Sequence, residues 1–130
     1  MKKLLIIPML FMCSIVIGQS KKIIDKPIRL QKFEVAQYDF PNRMNWYDAQ
    51  EVCAKLGKGW RLPTKDELNV MYKNKDKIGG FAKDDYWSST DDEDEYSGAW
   101  KQNFINGSQY GSTNYANPKY FSLVRAVRTF

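Results

Sequence analysis

Apolar positions recur along this chain with two different periods, and the change falls near its middle. Trp46, Ala49, Val52, Cys53 and Leu56 follow one another at helical spacing and form one apolar stripe. Asn45 stands where a helix cap belongs, and Asp48 lies in the first turn, where negative charge suits the helix dipole. Gly57 ends that helix. A second helix opens at Thr64-Lys-Asp-Glu67, the pattern of a capping box. Leu68, Met71 and Tyr72 continue an inward stripe, and Gly79-Gly80 stops it at the latest.

Beyond residue 85 the period shortens. YWSST (86–90) and AWKQNFI (99–105) read as strands. Asn106-Gly107 marks a hairpin, because both residues tolerate positive φ. Residues 108–118 are a polar, aromatic-rich return strand or loop. In the closing stretch Val124 and Ala126 face one way, and Leu123, Val127 and Arg125 the other. Apolar residues on both faces predict a central strand. Residues 28–40 partly alternate, with Ile28 and Leu30 on one side and Phe33 and Val35 on the other, which predicts two strand pieces or a bulge. Two helices followed by short strands give an α+β domain.

The chain start changes the picture of where the protein works. Lys2 and Lys3 precede an apolar run of 14 residues, Leu4 to Ile17, and the small residue Gly18 follows. That is the layout of a secretory signal peptide cleaved after Gly18 or after Ser20. The run is shorter than the about 20 residues a bilayer span needs, so no stable transmembrane segment remains after cleavage. A retained anchor is the alternative. The expected organisation is a signal peptide over 1–18, a short exposed lead-in over 19–27 and a single domain over 28–130. The product is exported, either secreted or held in the periplasm or at the cell surface.

Charge and the scarce residue types then exclude chemistries. Seven of the 15 acidic residues lie in 84–95, where no basic residue stands, and the rest of the chain is basic. Such a surface can attract anionic polymers, although no nucleic-acid motif is present. Cys13 leaves with the signal, so Cys53 has no internal disulfide partner and reads as a small buried hydrophobe. Histidine is absent, which removes Cys-His and Ser-His-Asp nucleophile systems and His-based zinc sites. The run DDEDE (91–95) reads as a solvated loop. Asp91, Asp92 and Asp94 are its calcium candidates, since hard oxygen ligands suit that ion, but the run lacks EF-hand spacing. The expectation is a non-enzymatic protein without a cofactor.

NWYDAQEVCAKLGKGWRLPTKDEL (45–68) resembles the shared core of formylglycine-generating enzymes and their relatives. A closer resemblance is to the bacterial domain of unknown function at the C-terminus of the Legionella collagen-like protein. Its pattern appears here as Trp60–Leu68, Tyr86–Thr90, Ala99–Gly107 and Val124–Arg128. Both groups resemble the C-type-lectin-like fold, two helices against a small twisted antiparallel sheet with long loops. The resemblance implies structural roles for Trp46, Cys53, Trp60, Arg61, Leu62, Pro63, Thr64, Glu67, Trp87, Trp100, Arg125 and Arg128. Gly-Lys-Gly (57–59) lets the chain double back, and Arg61 answers backbone carbonyls or an acid near the helix ends. Related domains often carry a cysteine where Ala126 stands, paired with one on the first helix. The C-terminal cysteine pair of formylglycine-generating enzymes is missing, and so are the calcium-dependent sugar-binding signatures of lectins.

Tyr110, Asn114, Tyr115 and Asn117 combine flat ring faces with amide hydrogen-bonding groups, which suit sugars and protein surfaces alike. The expected function is a secreted, non-catalytic binding or adhesion module for a glycan or an envelope or extracellular protein. The alternative is a structural subunit of the cell envelope with no small ligand.

Overall fold

The computed structural model describes residues 22–93, 98–113 and 117–130. Helix α1 spans Trp46–Lys55, and the Asn45 side chain accepts from the Asp48 N–H at 2.8 Å. Its stripe is buried through Trp46, Ala49 and Cys53. Helix α2 spans Lys65–Lys73 and starts with the complete capping box: Glu67 N–H donates to Thr64, and Thr64 N–H donates to Glu67. A short helix α3, Lys75–Ile78, follows before Gly79.

The strands form two three-stranded antiparallel sheets. One contains β1 (Ile28–Arg29), β2 (Phe33–Val35) and β6 (Val127–Thr129), in the order β1-β2-β6. The other contains β3 (Asp85–Asp92), β4 (Gly98–Asn103) and β5 (Gln109–Thr113), in that order. Residues 28–35 are two strand pieces, but Ile28, Leu30, Phe33 and Val35 all reach one cluster. The turn between the pieces, closed by Leu30 N–H to the Phe33 carbonyl at 2.8 Å, resets the alternation.

Helices α1 and α2 each have their own core, and Ile78 of α3 joins that of α2. Trp46, Ala49 and Cys53 of α1 pack with Trp60, Leu62, Trp87, Val124 and Ala126. Leu68 and Met71 of α2 pack with Phe33, Val35, Tyr86, Phe104 and Val127. Burying each large side chain of this kind contributes about 1.5–3 kcal/mol. The closing stretch separates the cores, and its two-sided pattern has this origin. Only Val127–Thr129 is regular strand, yet the whole stretch is hydrogen-bonded on both flanks. Ala36 and Phe40 donate to the Ala126 and Val124 carbonyls, while Trp87 donates to Leu123 and Arg61 exchanges two bonds with Val127.

Trp60, Leu62 and Pro63 are buried under the corner between the helices, and the preceding turn holds positive φ at Gly57, Lys58 and Gly59. The corner also explains the YWSST strand. Its register to β4 breaks between Trp87 and Asp91, where the chain turns to the helix start instead. Ser89 N–H donates to the Pro63 carbonyl at 2.7 Å, and Lys65 N–H to Thr90 Oγ1 at 2.9 Å.

Two expectations change. The lead-in is docked: Ile23 and Ile24 pack against the first core, and their carbonyls accept from Tyr38 and Gln37. Asp91 and Asp92 are not loop residues but the end of β3, and Asp92 is buried. Its carboxylate lies where a Cβ on Gly111 would stand, only 1.4 Å away, so a side chain at Gly111 would expel it. Cys53 is free and buried, and burial pushes its thiol up to about 12.

Candidate functional site

The β4–β5 hairpin sorts its side chains to two faces. Gln102 turns toward α2, where it donates to Asn69 at 3.0 Å and accepts from Gln109 at 3.2 Å. Trp100 lies on the same side, 3.3 Å beneath the Lys65 ammonium. Lys101 and Asn103 take the opposite face. Strand register sets Lys101 against Trp87 on β3 and Tyr110 on β5, and Asn103 against Asp85.

That face gathers a polar cluster. Lys101 is buried; its ammonium donates to the Tyr120 carbonyl at 2.7 Å and lies 4.1 Å from the centre of the Trp87 ring. Burial lowers its pKa to about 8, with Asp85 acting in the opposite sense and Arg43 adding to the depression. The Asn103 amide donates to Asp85 at 3.0 Å. Tyr110 is 38% exposed, and burial of the phenol together with the adjacent Asp85 carboxylate raises its pKa above the ordinary tyrosine value. Arg43 stands at the margin and pairs with Asp84. The arrangement offers a flat ring, a carboxylate, an amide and a guanidinium on one face, suited to reversible polar contact.

The predicted ligand residues fare differently. Tyr110 belongs to this face. Asn117 is a cap: its side chain accepts from the Lys119 N–H at 3.1 Å and starts the 3₁₀ turn Pro118–Tyr120, which carries the carbonyl that Lys101 binds. Asn114 and Tyr115 lie outside the described residues, as does Asp94. Asp91 and Asp92 are consecutive strand residues, one exposed and one buried, so their carboxylates diverge. Among the described residues no three His, Cys, Asp or Glu side chains converge on a point that could hold a metal ion.

The motif residues are structural. Arg61 donates to both Glu67 oxygens, at 2.6 and 2.9 Å, and to Thr129 and the Leu62 carbonyl. Those bonds hold the Glu67 carboxyl below its usual range even though burial acts to raise it. Arg128 pairs with buried Glu34 and covers the Trp60 ring at 4.8 Å. Arg125 pairs with Asp39 at 2.6 Å. Trp46 and Trp87 donate their indole N–H groups to the Ser88 and Met44 carbonyls.

Sequence reasoning missed Lys101, Asp85, Asn103 and Arg43. The hairpin places two of them beside Tyr110, and the only available signal was its register. The loop of that hairpin holds residues 104–107, only Gly107 takes positive φ (81°), and Asn103 N–H donates to the Ser108 carbonyl. The Tyr72 ring packs where a Gly107 Cβ would stand.

A family model described as the Lcl C-terminal domain matches residues 23–128. No curated protein matches the sequence. Among solved structures, the crystal structure of botrocetin aligns with a TM-score of 0.54 at 14% identity, over 80% of this chain and 96% of botrocetin. Botrocetin in its complex with a mutant von Willebrand factor A1 domain aligns with a TM-score of 0.53 at 13% identity, with the same coverage. The α+β architecture is thus a C-type-lectin-like fold. Among the described residues no helix is long and apolar enough to cross a membrane.

Proposed function

The chain belongs to the Lcl C-terminal domain family, and from that premise we propose that it is an exported, non-catalytic binding module. Its ligand is a glycan or a protein surface outside the cell or in the envelope. The observation that carries this reading is the β5 edge of the β3–β5 sheet, where half-exposed Tyr110 stands beside partly buried Asp85 and Asn103 and over buried Lys101. A ring face flanked by donors and acceptors fits the hydroxyl-rich faces of sugars and the mixed surfaces of proteins. A neighbour of the same fold, botrocetin, is seen bound to a von Willebrand factor domain, which supports a protein ligand.

The alternative is an envelope subunit without a small ligand. Covalent attachment through Cys53 would need an accessible thiolate, and its buried, protonated thiol disfavours that route. The reading is tested by screening the purified protein on a glycan and polysaccharide array, with calcium and with chelator. Binding should be lost in Tyr110→Ala while the melting temperature stays within a few degrees. No binding in either condition, followed by a concentration-dependent mass on sizing, would favour the subunit reading.

A further inference from the structure

A groove of about 700 Å³ runs between α1 and the extended segment 38–44. Ile23, Phe40, Met44, Val52 and Leu56 line it, and the lining is mostly apolar. The segment 41–44 separates it from the polar face: Asn42 and Met44 border the groove, while Arg43 between them reaches Asp84. Its size falls in the range of small-molecule sites, roughly 300–1,000 Å³.

Two features of the walls select an occupant. The first is charge. Lys22 and Lys55 stand exposed at the groove. Among the described residues Lys55 is held by a solvent-exposed pair with Glu51 one turn earlier, a contact of small worth. Among the described residues the acid in the lining is Asp39, already engaged on both oxygens, by Arg125 and by Tyr86. The charge left for a visitor is therefore cationic. The second is the backbone. Tyr38, Phe40 and Met44 already donate their N–H groups to Ile23, Val124 and Ser122, and the facing wall is a helix. These donors are closed to an added peptide strand, so recognition must come from apolar contact together with a charged end.

We infer that this groove binds one monomeric amphiphile, with its apolar tail along Phe40, Met44, Val52 and Leu56 and its anionic head at Lys22 and Lys55. This site is separate from the polar face proposed above and does not depend on it. The test uses the purified protein and a saturated carboxylate series (octanoate, decanoate, dodecanoate) below micelle formation. Displacement of anilinonaphthalene sulfonate and amide shifts are the readouts. Saturable one-to-one binding is expected, tightening up to about fourfold per added methylene until the groove is full. Shifts should cluster at 38–44 and 52–56. Dodecyltrimethylammonium should bind at least about tenfold more weakly. The double variant Lys22→Glu, Lys55→Glu should reverse that preference with unchanged melting, because both side chains are exposed. Val52→Asp should abolish binding. Equal affinity for both head charges, or shifts away from the groove, would overturn the inference. So would attachment to phosphatidylglycerol vesicles without monomer binding. A free protein in which residues before Lys22 already contact Val52 and Leu56 would overturn it as well.

Discussion

Adjacent residues of β3 lead into two trios of the same chemistry. Tyr86 belongs with Arg125 and Asp39; Asp85 belongs with Lys101 and Tyr110. Each trio is a cation, a carboxylate and a phenol, yet their fates differ. In the first, the Arg125 fork donates to Asp39 at 2.6 Å, to the Ala36 carbonyl and twice to the Gly79 carbonyl, and stacks 4.2 Å from the Phe81 ring. Tyr86 donates to Asp39 and accepts from Ala82 N–H, and burial with Asp39 beside it raises its pKa. A planar guanidinium can saturate several fixed acceptors at once, so the charge is tolerated inside. In the second trio, among the described residues, the ammonium finds one carbonyl and a ring, and Tyr110 remains half-exposed. A closed network of this kind rigidifies the fold, whereas one with a partner at the surface is less constrained.

The largest test of this contrast removes each cation. Arg125→Met leaves Asp39 unpaired beside the core and should cost about 3–5 kcal/mol in urea unfolding. Lys101→Met, a similar volume without the desolvated charge, should be neutral or stabilising at about pH 7. Equal losses for the two would erase the distinction.

The next test is pH. The Lys101 pKa is depressed to about 8 in the fold, from an ordinary value of 10.5. Between these values the unfolded chain binds the extra proton, so stability rises with pH across that window. Wild type should gain on Lys101→Met by on the order of 1–3 kcal/mol from about pH 8 to about pH 10. Tyr86 and Tyr110 act the other way above about pH 10, because the fold holds their protons. Both are present in both proteins, so their effect cancels in the difference. A flat difference profile would mean that Lys101 is hydrated in solution.

The smallest effects come from the hydroxyls. Tyr86→Phe leaves the Ala82 N–H and one Asp39 oxygen without their partner and should cost about 1–2 kcal/mol. Tyr110→Phe, half in solvent, should cost about 0.5 kcal/mol or less. Matched thermal melts decide it, and comparable losses would place Tyr110 in the framework rather than at a contact surface.

Much of the fold was legible because its signals are local. The Asn45 cap, the Thr64–Glu67 box and the stripe through Trp46, Ala49 and Cys53 each need only a few consecutive residues. The partner of Arg61 was legible only as a type, an acid or a carbonyl. The site was less legible because register created it. A two-residue turn on Asn106-Gly107 would oppose Tyr110 to Asn103, but the four-residue loop opposes it to Lys101. Asp92 escaped the acidic run for a similar reason, since its shelter is the bare backbone of Gly111 on another strand.

The sequence by itself determined the helices, the corner between them, the family and hence the C-type-lectin-like fold, through capping, periodicity and short motifs whose energetics stay within a few residues. Only the tertiary structure decided which charges are closed off and which stand toward the surface. That choice depends on burial and on pairings across distant segments, as between Arg125 and Asp39, or Lys101 and Tyr120. Desolvation is a property of the assembled surroundings rather than of the residue.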